Sequence, residues 1–162
     1  MALTRIAGPD DAETLMRLIN TAFLVERFFI DEERVALADV LEFMAKGVFL
    51  VAGDMEACVY TELRGERAYL GLLSVAPSKQ GSGLGRKMVE AAERYCREHG
   101  CEWMDLRVVD VREELPPFYR KLGYAECGTE PFPPDVETKI PISLIKMQKK
   151  LSAPAAAGTD SC

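Results

Sequence analysis

The run Val75-Ala76-Pro77-Ser78-Lys79-Gln80-Gly81-Ser82-Gly83-Leu84-Gly85-Arg86 links two apolar patterns through a loop of small residues, and its composition suits it to holding phosphates. Upstream, Tyr69, Leu70, Leu72, Leu73 and Val75 form a dense run of strand length, while Leu84, Met88, Ala91, Ala92 and Tyr95 downstream recur at helical spacing. The turn therefore opens a helix. Gly81, Gly83 and Gly85 have no Cβ, so a ligand can approach the main chain closely, and amides at a helix start lack intrahelical acceptors. Anions bind such ends. Arg86 and Lys87 in the first turn oppose the macrodipole, and they read either as phosphate contacts or as a solvated basic pair.

Spacing separates the glycine-loop chemistries. A dinucleotide fingerprint or a P-loop starting at Gly81 needs glycine where Arg86 stands. What fits is Q-x-x-G-x-G, met by Gln80, Gly83 and Gly85 five residues beyond Val75, and this resembles the coenzyme A pyrophosphate loop of the GNAT family of N-acetyltransferases. Downstream, Pro117-Phe118-Tyr119-Arg120-Lys121-Leu122-Gly123-Tyr124 resembles the F-Y-x-x-x-G-F/Y segment near the end of the same fold. The resemblance covers Ala2 to Leu151. It implies an α/β fold whose central mixed sheet splays between its fourth and fifth strands, flanked by helices, with acyl-CoA in the gap.

Acyl transfer from a thioester to an amine needs a neutral amine, a donor for the developing oxyanion and a proton for the departing thiolate. By resemblance, Leu73 offers its backbone N–H to the thioester oxygen, the stretch Leu73-Ser74-Val75 pairs with pantetheine, and Gln80, Gly81, Ser82, Gly83, Leu84, Gly85 and Arg86 take the pyrophosphate. Tyr119 matches the general acid. A phenol of ordinary pKa near 10 stays protonated at neutral pH, and giving its proton to a thiolate is uphill by only about 2 kcal/mol. The alternative for Tyr119 is packing alone. Two departures stand out. Relatives carry glutamate where this chain has Tyr69, which leaves the base open among Glu62, Glu26 and Tyr69 acting through water. Arg112 stands where relatives often place a cofactor-contacting asparagine, and it either meets acyl-CoA or an acidic group of the substrate, or pairs with Glu113 or Glu114.

In this fold acceptors are chosen by the first helix-to-helix loop and the last strand connection, here residues 25–31 and 130–135. Phe28, Phe29 and Phe132 are candidate walls of an acceptor site, with Glu26 or Asp135 receiving a cation. The other reading makes the aromatics core and the acids solvated.

The elements that must position these residues follow from periodicity. A strand is expected over Leu3 to Ile6, then a helix begun by Asp10 with Glu13 as its capping partner and a stripe from Ala12 to Phe23. A second helix runs from Leu37 to Gly47. Strands Val48 to Ala52, Ala57 to Leu63 and Ala68 to Val75 form an antiparallel meander. The glycine-loop helix ends at His99-Gly100, where the histidine either complements the dipole or serves as a base, and the strand Trp103 to Val109 follows in parallel. Glu90 with Arg94 and Glu93 with Arg97 read as a solvated face. A short helix from Pro116-Pro117 to Gly123 precedes strands Tyr124 to Gly128 and Lys139 to Lys149, with Glu130 to Asp135 too proline-rich for a strand interior.

With 162 residues, 48% of them hydrophobic, the chain suits one domain over residues 1–151 with a disordered tail over 152–162. No apolar stretch reaches the roughly 20 residues a membrane span needs, and no signal-peptide pattern opens the chain. Five cysteines with no C-x-x-C pair argue against disulfides or zinc, and a net charge of -6 argues against nucleic acid. The expectation is a cytoplasmic acetyl-CoA-dependent N-acetyltransferase, monomeric or homodimeric, metal-free, acting on a primary amine of a small molecule or peptide. Its rivals are a catalytically weak acyl-CoA-binding regulatory or interaction domain, and an enzyme using a longer acyl donor.

Overall fold

The computed structural model describes residues 4–151. The expected tail over 152–162 and the Leu3 end of the first strand lie outside the described residues. In order, the chain forms β1 (Thr4–Ile6), a 3₁₀ turn (Pro9–Asp11), α1 (Ala12–Ala22), a 3₁₀ stretch (Phe23–Phe28), α2 (Leu37–Lys46), β2 (Val48–Ala52), β3 (Ala57–Arg64) and β4 (Arg67–Val75). A further 3₁₀ turn (Pro77–Lys79) leads to α3 (Leu84–Glu98), β5 (Trp103–Val109), α4 (Leu115–Lys121), β6 (Ala125–Pro131) and β7 (Ser143–Lys150). The strands make one seven-stranded sheet in the order β1-β2-β3-β4-β5-β7-β6. Among the described residues only β4 and β5 run parallel.

Alternation along the strands divides the core. Leu50, Ala52, Val59 and Leu70 point to one face, where they meet Met88, Ala92 and Cys96 of α3 and Tyr119 of α4. Phe49, Val51 and Tyr60 point to the other, against Leu15 and Ile19 of α1 and Val40 of α2. Because helices cover both faces, β2 and β3 read as unbroken apolar runs. Each such side chain removed from water contributes about 1.5–3 kcal/mol.

The parallel pair is short. Its register covers Arg67 with Trp103, Ala68 with Met104 and Tyr69 with Asp105, and then the two strands part although β4 continues to Val75 and β5 to Val109. Arg67 clamps the closed end, with Nε donating to Asp105 Oδ2 at 2.7 Å and Nη2 to Gln148 Oε1 at 2.9 Å. Beyond that point β5 keeps only β7, paired from Trp103–Lys150 to Val109–Leu144.

Four sequence expectations need correction. The first helical turn begins at Gly8 rather than Asp10: Pro9 fits a first turn, and Asp11, three residues on, accepts the Gly8 N–H at 2.9 Å while Arg5 forks onto the same carboxylate. Glu13 instead pairs with Arg17. β6 runs on to Pro131, which an edge strand tolerates because the missing N–H costs no interior ladder bond, and β7 starts at Ser143, past Pro141. Glu93 is not solvated: it is 5% exposed, and accepts from Tyr124 Oη at 2.8 Å and Lys149 Nζ at 3.0 Å. Lys149 also donates to the Leu122 carbonyl, so this network ties α3, β7 and the end of α4 together. Removing one partner strands the others in a low-dielectric setting, so Glu93→Ala should cost about 2 kcal/mol of unfolding free energy, read from the midpoint of urea denaturation.

Candidate functional site

The site begins with a defect in β4. Its register with β3 passes from Tyr60–Gly71 to Cys58–Ser74, so Val59 alone faces Leu72 and Leu73. Leu72 takes the left-handed conformation at φ +53°, which costs about 1–2 kcal/mol for a residue with a side chain. The surroundings enforce it. Ser74 Oγ donates to the Leu72 carbonyl at 3.0 Å, and the Cys58 thiol, pushed up to about 12 by burial and so firmly protonated, approaches the same oxygen at 3.9 Å. Leu73 is left with no ladder pair on either side, at the strand's parting from β5.

Between the diverging strands lies a cleft of about 850 Å³. Leu73, Val75 and Gln80 line one side, Leu106 and Val108 of β5 the other, and Phe118 and Tyr119 of α4 one end. Tyr119 is 6% exposed, with its ring edge-on to Phe118 and Tyr124. Burial pushes its hydroxyl above the ordinary phenol range, against the pull of Arg112. Among the described residues that hydroxyl has no hydrogen-bond partner. A protonated, buried and unpartnered donor at the end of a cleft is equipped to meet a ligand atom.

At the mouth, Gln80 Nε2 reaches back to the Val75 carbonyl at 3.3 Å, and Ser82 Oγ bonds the Lys79 carbonyl. Gly81 at φ +82° and Gly83 at φ +84° supply the left-handed turns that aim the chain into α3. The first bond of the helix runs from the Lys87 N–H to the Gly83 carbonyl, which leaves the amides of Leu84, Gly85 and Arg86 without acceptors among the described residues. Gly85 packs toward Phe118, Val75 and Leu73, and the Leu84 side chain enters the core. Arg86 pairs with Glu90 at 3.1 Å. Of this loop only Gln80 lines the cleft itself.

The acceptor-side candidates separate. Glu26, Tyr69, Arg112 and Phe132 line the cleft. Phe29 does not; at 1% exposure it is core, and Phe28 stacks edge-on against it at 5.0 Å with its outer side in solvent. Glu62 does not either. Its two oxygens are taken by Tyr60 Oη at 2.7 Å and Arg64 Nε at 2.8 Å, and Arg64 holds its carboxyl below the usual range, so it has neither position nor basicity to act there. The Ser74 side chain is spent on the bulge, and Asp135 is exposed outside the cleft. His99 Nδ1 meets the Tyr95 carbonyl in the last turn of α3, which places it in a helix terminus. Arg112 pairs with Glu114 at 3.0 Å, one of its expected readings, and also with Glu26 at 3.2 Å, a partner the sequence did not suggest.

Sequence reasoning missed Arg107. It projects from β5 opposite Leu106 and Val108, lines the cleft and sits 5.5 Å from the Tyr69 ring, whose other cationic neighbour is Arg64 at 4.8 Å. Its alternation with buried residues was the available signal. The Tyr69 ring lies over Gly71, where a Cβ would come within 2.8 Å of it. The first of the two specificity segments is tied to the connection between β6 and β7, four residues beyond the second: Lys139 donates its N–H to the Phe29 carbonyl at 2.8 Å and its ammonium to the Arg27 carbonyl at 3.1 Å. Among the described residues no cluster is arranged to hold a metal ion, and no helix is long and apolar enough to cross a membrane.

Residues 13–124 match the family described as the acetyltransferase (GNAT) family, and the chain belongs to it. Streptothricin acetyltransferase from Streptomyces lavendulae is 32% identical over 95 residues, covering 57% of this chain and 49% of that protein. Mycothiol acetyltransferase from Nocardiopsis dassonvillei is 37% identical over 59 residues, 36% of this chain and 18% of that one. The chain thus spans half or less of the length of these curated relatives. Phosphinothricin acetyltransferase from Sinorhizobium meliloti, solved with acetyl-CoA, superposes with a TM-score of 0.74 at 16% identity over 99% of this chain and 94% of that one. Ribosomal-protein-S18-alanine N-acetyltransferase from Escherichia coli gives 0.73 at 17% identity, over 99% and 100%. At these identities the likeness is one of fold.

The nearer of the two donors at the bulge, the Ser74 hydroxyl, can be removed cleanly. Ser74→Ala leaves the Leu72 carbonyl short of its nearest donor in a buried site, and chemical denaturation should show a loss of about 1 kcal/mol.

Proposed function

We propose that this chain is an acetyl-CoA-dependent N-acetyltransferase acting on a primary amine of a small molecule. The observation that carries the reading is the Tyr119 hydroxyl, protonated, buried and unpartnered at the end of a cleft opened by the parting of β4 and β5. Acetyl-CoA supplies the acyl group already activated as a thioester. The residues present fit it. The free amides of Leu84, Gly85 and Arg86, with Gln80 and the left-handed glycines before them, form an anion-binding helix start on which a diphosphate can rest. Val75 has a strand edge free on the β5 side that would take the pantetheine arm, and the Leu73 N–H, left without a ladder pair by the bulge, would stabilise charge developing on the thioester oxygen. Tyr119 then gives its proton to the departing sulfur.

A small-molecule acceptor is favoured over a peptide by the cleft's acceptor side, where Lys139 in the connection between β6 and β7 is fastened to the Arg27 and Phe29 carbonyls. The names of the two curated relatives, streptothricin and mycothiol acetyltransferases, agree with that choice. Tyr119→Phe keeps the ring packing and removes only the hydroxyl. Stopped-flow or thiol-release assays should show kcat lower by about 100-fold, the scale of a lost general acid, with acetyl-CoA affinity by calorimetry unchanged. A protein that binds acetyl-CoA tightly, yet acetylates nothing in a broad amine panel whether residue 119 is Tyr or Phe, would be a binding domain instead.

A further inference from the structure

Glu26 is the one acidic side chain of the cleft that is nine-tenths buried, at 8% exposure, and only half of it is satisfied. Arg112 Nη1 donates to Oε2 at 3.2 Å; Oε1 has no hydrogen-bond partner among the described residues. A buried carboxylate oxygen facing a cavity without a donor is an expensive arrangement unless a ligand completes it. The side chain hangs from the 3₁₀ stretch after α1, where Phe29 and Ile30 both donate their N–H groups to the Glu26 carbonyl, so its backbone is fixed. Phe23, Val25 and Ile30 add apolar surface to the lining of the same cleft. An alkylammonium fits this niche, with its charge on Oε1 and its carbon chain along the apolar walls.

We propose that Glu26 receives the ammonium group of the acceptor and takes its proton, and that Arg112 is the positioning residue that holds the carboxylate. This rests on the acetyl-transfer reading above. Glu26 removes one proton from the ammonium nitrogen, and the freed lone pair forms the new C–N bond at the thioester carbonyl carbon. The C–S bond breaks with its electron pair leaving on sulfur, which takes the Tyr119 proton. The surplus proton on the new amide nitrogen restores Tyr119, and Glu26 releases its own proton to solvent. Burial supports the role by raising the carboxyl above its ordinary range, with Arg112 and Arg34 pulling it back and Glu114 adding to the rise. Glu32, Glu33 and Glu114 also line the cleft, with Arg27, Arg34, Arg107 and Arg112 opposing them in charge. Arg112 also lines the cleft with Tyr119, on whose hydroxyl its charge bears without direct contact.

The test compares two nucleophiles on the same protein: n-butylamine, cationic near neutral pH, and hydroxylamine, which is neutral there and needs no base. Glu26→Gln should lower kcat/KM for butylamine by about 100-fold while hydroxylamine acetylation and calorimetric acetyl-CoA affinity stay close to the parent's. Equal losses for both nucleophiles, or no loss for either, would overturn the assignment, as would a parent that acetylates hydroxylamine but no alkylamine. A parent that binds acetyl-CoA and acetylates neither removes the acetyl-transfer reading itself, and this one with it. Should Glu26→Gln not fold, Arg112→Gln carries the test. It removes the cation that favours ionised Glu26, so the acidic limb of the butylamine pH–rate profile should move to higher pH; an unmoved limb would overturn the proposal.

Discussion

Everything at the site follows from the point at which β4 and β5 separate. Three parallel pairs hold them together, and Arg67 fastens that end to Asp105 and Gln148. Past Tyr69 the two backbones no longer satisfy each other, and their exposed edges become the walls of a cleft. The bulge at Leu72 and Leu73 belongs to the same constraint, because an extra residue twists a strand away from its neighbour and re-aims what it carries. α4 lines the cleft between the two strands, and so Tyr119 arrives buried yet facing open space.

A chain of paired groups crosses the sheet on the acceptor side. Tyr60 donates to Glu62, Glu62 accepts from Arg64, Arg64 and Arg107 flank the Tyr69 ring, and Arg107 bonds Glu130 at 3.0 Å. Taken singly, half-exposed pairs of this kind are worth under about 1 kcal/mol. Together they lock the ring of Tyr69 across Gly71. They also explain why Glu62, which is near in sequence terms to the cleft, is chemically occupied elsewhere.

Local signals in the sequence were strong wherever one residue type has one physical use. The glycine loop, the stripe of α3, the meander from β2 to β4 and the proline start of α4 all stand within a residue or two of their expected places. The parallel pairing of β4 with β5 followed from a strand, helix, strand order. What stayed hidden depends on partners far along the chain. Glu93 has the spacing of a solvated helix face, and only the return of Lys149 in β7 and Tyr124 after α4 makes it a buried anchor. Phe28 and Phe29 are indistinguishable in sequence, yet one is exposed and the other core, because consecutive positions at the end of the 3₁₀ stretch point in different directions. Of the candidate bases, Glu26 and Tyr69 reach the cleft and Glu62 does not, a difference set by which side chains Arg64 and Arg112 engage. The left-handed Leu72 carries no sequence mark at all, since leucine rarely adopts that conformation.

The strand order has a consequence for how the molecule is made. β7 lies between β5 and β6, although it follows both in the chain. As residues leave the ribosome, β1 to β4 can zip into their meander with α3 docked on it, but β6 has no neighbour until some twenty more residues emerge. Until then one edge of β5 stays bare, a template for mispairing that a nascent chain must outlast or shield. Insertion of that late strand finishes the sheet, and with Lys149 it delivers the partner of Glu93, so assembly ends on the step that locks the two halves together.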